Sequence, residues 1–318
     1  MSLLGKKQAE CRFASGGKRA AKRKYNMTLL ALCIPGLICL FLFNYLPMGG
    51  IVIAFKKYAP MKGLFASQWV GFKNFEFFFT SQDLFRTMRN TVLYSLTFLI
   101  ADLVFGVLIA VLLYNLRTKA GLKVYHTIIM IPRFMSIIVI AYIVYAFLSP
   151  QNGVLNKIIV ALGGTAIQWY TEPKYWPSIL TIVHIWASIG AGCLYYYSAL
   201  TSTDPTLYEA AEIDGANVLQ RTWYISIPEL IPIMVMMTIL GIGGLFNGDI
   251  GLFYQVPRNT GVLYPTTDVI NTYTYRALLA GSLEKSAAVG LFQSVVGLFL
   301  VVGTNAIVRK VSPENSMF

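Results

Sequence analysis

Residues 201–224 read TSTDPTLYEAAEIDGANVLQRTWY, and residues 225–232 continue as ISIPELIP. Asp204 followed by Pro205 has the chemistry of a helix N-cap and first-turn pair, because the carboxylate accepts from a free backbone N–H and proline has none to leave unpaired. A capping box from Thr206 to Glu209 is the alternative start. Either gives a short helix with Leu207, Ala210 and Ala211 on one face, stopped at Gly215, where the chain can turn left-handed without a Cβ penalty. A second short helix is predicted from about Asn217 to Tyr224, turning back into apolar sequence that Pro228 and Pro232 interrupt. A loop that only connects needs neither the alanines nor a fixed turn. Small side chains on an exposed crest permit close approach, Glu209 and Asp214 offer charge to a basic partner, and a compact helix pair fits a groove on another protein.

On both sides of this loop the chain is apolar. Of 318 residues, 56% are hydrophobic and 13% charged, about half the charge of a soluble chain, so water is not the sole solvent. A bilayer core of about 30 Å takes roughly 20 helical residues. That template fits six times, at about 29–55, 91–114, 126–148, 179–200, 225–246 and 287–308. The runs are continuous rather than alternating, which excludes a strand barrel and predicts an all-α membrane protein with six transmembrane helices. The first run is too long for a cleavable leader and no small-x-small site follows it.

The net charge of +12 then has a location. Segments 1–28, 115–125, 201–224 and 309–318 hold 14 Lys and Arg in 73 residues, against 11 in 105 for segments 56–90, 149–178 and 247–286. The positive-inside rule places the denser set, with both termini and the 201–224 loop, in the cytoplasm. The basic tail 1–28 is expected to fix topology and meet anionic headgroups rather than nucleic acid, and 309–318 to be a cytoplasmic C-terminal tail. On the other side, 69–89 mixes aromatics with Lys73, Glu76, Asp83, Arg86 and Arg89 and is expected to lie along the interface as a helix. Ile167 to Trp176 has the composition of an aromatic belt that anchors in lipid. Cys11, Cys33, Cys39 and Cys193 form no Cys-x-x-Cys pair and are expected as buried, inert thiols. No metal set is present.

The loop motif Glu209-Ala210-Ala211-x-x-Asp214-Gly215-Ala216, followed by Gln220-Arg221, Trp223, Ile225, Pro228 and Pro232, resembles the EAA coupling loop of binding-protein-dependent ABC importers in the form typical of sugar permeases. It departs at Leu219 and Thr222, where that family usually has aromatic residues. Trp69-Val-Gly-Phe-Lys-Asn-Phe75 and Asn90-Thr91-Val-Leu-Tyr-Ser95 resemble carbohydrate (MalF-like) permeases. Pro47 to Lys56, Asp268 to Arg276 and Ala288 to Ser294 are similar to the polysaccharide, or LplB-like, branch. The resemblance implies a type I importer permease of a bacterial cytoplasmic membrane. Such a subunit pairs with a second homologous permease, docks on two ATPase subunits, and receives an oligosaccharide from an extracellular or lipid-anchored sugar-binding protein. Cofactors are implied only on the ATPases, which hold ATP and Mg. The sequence itself has no Gly-x-x-x-x-Gly-Lys-[Ser/Thr] phosphate loop.

Ionisable groups inside spans are costly and usually face a bundle interior or wet cavity, which singles out Asp102, Arg133 and His184. Arg133 can also snorkel, and Asp102 can simply pair across helices. By analogy with sugar permeases, the pathway residues are expected to be Trp186 and His184 in the fourth span, with Asn247, Asp249 and Tyr254 after the glycine-rich stretch 241–249. Those glycines either widen a cavity, let the helix bend, or allow close helix packing. An ion-coupled secondary transporter is the alternative, but it calls for internal repeats and more buried carboxylates. Catalysis is not expected: His126 and His184 are the only histidines, and no hydrolase or metalloprotease motif occurs.

Overall fold

The computed structural model describes residues 32–76, 80–116, 118–311 and 313. The basic tail 1–28, Cys11 and most of the tail 309–318 lie outside the described residues. The chain divides into two units, Met1–Ile53 and Ala54–Phe318.

Helix α1 (Leu32–Phe55) is long and apolar enough to cross a membrane, and its residues up to Ile53 fall in the first unit. A π turn at Phe41–Tyr45, with Leu46 N–H bonding Phe41 O, precedes Pro47. A proline ring collides with the carbonyl four residues earlier, and the wide turn relieves that collision. Cys33 and Cys39 are exposed on this helix, so of the described thiols only Cys193 is buried as expected.

The second unit begins with the last residues of α1, Ala54 and Phe55, and continues into β1 (Lys56–Lys57), which pairs antiparallel with β2 (Gln68–Trp69). Asn74 Nδ2 donates to Ala54 O and Lys56 O, both at 2.9 Å, and Phe55 stacks on Trp69 at 5.7 Å. The stretch 69–89 is therefore not one interfacial helix. It runs from a strand through a 3-10 turn at Gly71–Phe75, entered by Gly71 at φ +60, to the first turns of α2 (Gln82–Tyr114). Ser81 caps α2 by accepting from Leu84 N at 3.4 Å.

The third span is not one helix either. α3 (Lys119–Phe134) and α4 (Ile137–Leu148) meet at 98°. Pro132 removes a donor near the end of α3, and Ser136 caps the new helix through Ile138 N. After α5 (Val154–Ala161), the expected aromatic belt is largely interior. Trp176 is fully buried and donates its indole N–H to Trp169 O at 2.8 Å, while Trp169 donates to Asn156 Oδ1 at 3.0 Å. Burying the indole body while its N–H keeps a partner suits core better than interface.

Helix α6 (Trp176–Ser202) lies along α2, and their contact carries two apolar clusters. One gathers Tyr94, Ile140, Leu148, Trp176, Leu180, Phe253 and Val269; the other gathers Val107, Ala110, Leu113, Cys193, Tyr196, Leu200 and Leu230. Asp102 and His184 lie in sequence between the α2 and α6 members of the two clusters. The short α7 (Pro205–Ile213) leads to α8 (Val218–Gly243), followed by α9 (Ile250–Gln255), α10 (Ile270–Leu279) and α11 (Leu283–Val311). Pro228 and Pro232 do not interrupt α8. A second π turn, Thr222–Ser226, precedes Pro228 just as the first precedes Pro47, and the helix winds on to Gly243. The five single helices and the bent pair give up to six spans.

Candidate functional site

The 204–226 loop is closed by its own hydrogen bonds. Asp204 is the cap that operates, its Oδ1 accepting from Thr206 N at 3.0 Å, and this backbone bond holds the carboxyl below its ordinary pKa. At the other end of α7, Gly215 takes φ +79. Gly215 N–H then bonds Glu212 O at 3.1 Å and Ala216 N–H bonds Ala211 O at 2.9 Å, a Schellman closure. Two residues later a capping box starts α8: Asn217 Oδ1 accepts from Gln220 N at 2.9 Å, and Gln220 Oε1 from Asn217 N at 2.8 Å. That box was readable in the spacing Asn-x-x-Gln but was not anticipated.

The loop is also fastened sideways. Arg221 donates to Glu212 at 3.0 Å, Tyr208 and Ser226 hydroxyls meet at 3.0 Å, and the Tyr208 ring lies 5.2 Å from that of Tyr114 at the end of α2. Glu209, Ala210, Asp214 and Gly215 are exposed, while Ala211 and Ala216 are half-buried. Beside them, Ile213 is 86% and Tyr224 81% exposed, and Leu219 and Trp223 are exposed as well. The crest is thus more apolar than the alanines alone suggested.

Asp102 and His184 are brought together. His184 Nε2 lies 3.2 and 3.1 Å from the two Asp102 oxygens, Ser188 donates to Asp102 Oδ1 at 2.8 Å, and Phe98 stacks on the imidazole at 3.8 Å. Asp102 and Arg133 line one cavity of about 270 Å³ with Ser188, Tyr195, Thr238 and Gly241. Arg133 makes no ion pair or hydrogen bond among the described residues. The glycine-rich stretch serves both the cavity and the packing readings: Gly241 lines this cavity, and Gly241 and Gly243 also pack closely on neighbouring side chains. A Cβ at Gly241 would strike Leu99, and one at Gly243 would strike Val301.

The remaining candidates do not converge on that cavity. Trp186 lines an apolar cleft of about 440 Å³ between α4 and α6. Asp249 caps α9, accepting from Gly251 N at 2.8 Å, and Asn247 is exposed. Tyr254 lines a third, polar pocket of about 400 Å³ that sequence reasoning missed, with Tyr142, Tyr145, Gln255, Arg258 and Asn259. Arg258 and Asn259 have φ of 58 and 47, a conformation costing on the order of 1 kcal/mol for a non-glycine residue. In sequence, Pro257-Arg-Asn-Thr-Gly261 reads only as a polar turn. No group of side chains able to hold a metal occurs among the described residues.

Residues 103–313 match the family described as "binding-protein-dependent transport system inner membrane component". The chain belongs to this family. The permease is 36% identical over 296 residues to Protein LplB of Bacillus subtilis (strain 168), covering 92% of each chain. It is 35% identical over 288 residues to the polygalacturonan/rhamnogalacturonan transport system permease protein YteP of the same organism, covering 90% of this chain and 89% of that one. Among solved structures it resembles a chain of a bacterial alginate ABC transporter in complex with an alginate pentasaccharide-bound periplasmic protein. The TM-score is 0.82 at 29% identity, over 91% of this chain and 96% of that one. The permease accordingly has the type I importer fold, is a multi-pass inner-membrane protein, and is a non-enzymatic permease subunit of an ABC importer. This membership sets aside the ion-coupled alternative.

Proposed function

We propose that this permease forms half of the pathway for an oligosaccharide or polysaccharide fragment, and that the 204–226 loop couples it to ATPase subunits through Glu209, Ala210, Ala211, Asp214, Gly215 and Ala216. The observation carrying this reading is mechanical. The loop is capped at Asp204, closed at Gly215, boxed at Asn217 and tied to α2 and α8 through Tyr208. A push on its exposed crest reaches the spans instead of dissipating in a soft connection. With no phosphate loop in the chain, nucleotide and Mg belong to the two ATPase partners. A second permease completes the pathway, and a binding protein delivers the sugar. The cargoes in the names of two relatives, polygalacturonan or rhamnogalacturonan and alginate, favour a polysaccharide fragment.

The tagged permease is expected to co-purify with an ATPase and a second permease, and uptake is expected to require ATP. Gly215→Val forces a β-branched residue into the left-handed region, at a cost of about 1–2 kcal/mol. It is expected to abolish uptake while membrane insertion stays normal. Full uptake by that variant, or transport without ATP, sinks the coupling assignment.

A further inference from the structure

Among the described residues, four helices end by one hydrogen-bond pattern. In α5, α7 and α10 the residue in the left-handed position is Gly163, Gly215 and Gly281, with φ of 84, 79 and 82. In α9 the same pair of bonds forms, Arg258 N–H to Gln255 O at 3.1 Å and Asn259 N–H to Tyr254 O at 3.0 Å, but the left-handed residue is Arg258. Glycine is the residue this closure favours, so an arginine there runs against local preference. Strain of this kind points toward function when the surroundings hold it in place.

The surroundings do hold it. The guanidinium carbon lies 4.3 Å from the centroid of the Tyr145 ring, a cation–π seat. Asn259 Oδ1 accepts from Tyr264 at 3.0 Å, and its amide nitrogen lies 3.5 Å from Tyr254 Oη. Arg258 has no carboxylate partner among the described residues, whereas Arg86, Arg221 and Arg276 each have one. An uncompensated guanidinium thus sits in a pocket of about 400 Å³ walled by three tyrosines and two side-chain amides, within the size range of small-ligand sites.

We propose that this pocket is a subsite for a carboxylate-bearing sugar unit, a uronate, of the transported chain. The fork of Arg258 matches a carboxylate bidentately. Ring faces of Tyr142, Tyr145 and Tyr254 meet the apolar face of the pyranose, and Gln255 and Asn259 exchange hydrogen bonds with its hydroxyls. The balancing of a helix C-terminus by a cation accounts for a positive charge near α9, but not for the aromatic and amide walls.

This inference rests on the sugar-import reading, and its test separates the two. The assembled importer, with its ATPases and binding protein, is reconstituted in vesicles and given trigalacturonate, trimannuronate and their carboxyl-reduced counterparts. Wild type is expected to take up at least one acidic trisaccharide in preference to its reduced form. Arg258→Gln and Arg258→Gly are expected to lower that uptake about tenfold or more, the loss typical of a charge-assisted hydrogen-bond pair, with Arg258→Lys intermediate. Arg258→Gly relieves the backbone, so its thermal unfolding should be unchanged or later, which removes misfolding as the cause. Acidic uptake undiminished in both variants, an equal fall for acidic and reduced sugars, or wild-type preference for the reduced forms overturns the subsite alone. Uptake of none of the four by wild type overturns sugar import, and the subsite with it.

Discussion

Asp102 carries the burden of a carboxylate placed mid-helix in a membrane protein, and its three neighbours define what it does locally. His184 and Ser188 both spend polar atoms on it, and Phe98 covers the imidazole. Asp102→Leu leaves two polar side chains without their acceptor, at about 1–3 kcal/mol. Asp102→Asn keeps an oxygen for Ser188 and costs less. Thermal unfolding of the purified permease is expected to fall in that order, wild type above Asn above Leu; equal midpoints for Asn and Leu would contradict the hydrogen-bond account. Sequence reasoning found Asp102 and His184 because charge stands out in an apolar run. It could not join them, since 82 residues separate the pair and only the α2 and α6 packing brings them within 3.2 Å. Arg258 stayed hidden for the opposite reason, since a charged residue after Pro257 looks like any solvated turn.

Among elements, the prolines teach most. Pro132, Pro228 and Pro232 look alike in the sequence, yet Pro132 precedes a 98° break while the other two lie in an unbroken helix. What differs is the neighbourhood. Ser136 stands ready to cap a new helix two residues after α3 ends at Phe134, whereas Thr222–Ser226 widens before Pro228 and no capping residue follows Pro232 closely. The six apolar runs were legible because twenty consecutive apolar residues have few other uses, and so were the helix start at Asp204 and stop at Gly215. The wide turns were not, because a π turn changes one hydrogen-bond register without a residue signature of its own. The start of α8 depends on the Asn217 and Gln220 box. Asn217→Ala is expected to cost about 1 kcal/mol and to speed amide exchange at Gln220 severalfold, with exchange in α6 unaffected. Unaltered exchange at Gln220 would show that packing alone starts this helix.

For the molecule as a whole, the tie between early and late sequence is a buried polar knot. Asn90 donates to Pro265 O and Asp268 O, Thr91 accepts from Ile270 N at 2.8 Å, and Tyr94 donates to Thr266 O. Asp268, 3% exposed, pairs with Arg276 at 2.5 Å and accepts from Thr272 at 2.6 Å. Removing one partner of a buried pair costs about 3–5 kcal/mol. The Arg221 to Glu212 pair has its carboxylate in solvent, where such contacts contribute less than about 1 kcal/mol. Asp268→Ala is therefore expected to lower the unfolding midpoint far more than Glu212→Ala; comparable losses would mean that the knot is not what joins α2 to α10.

The uninterrupted course of α8 sets the reach of any motion that begins at the loop. Its 26 residues from Val218 to Gly243 span about 39 Å, and its far end brings Thr238 and Gly241 to the cavity that Asp102 and Arg133 line. A rod hinged near one end works as a lever: tilting it by about ten degrees carries the distant tip roughly 7 Å sideways over that length. A helix broken at Pro228 would have lost that stroke at the joint.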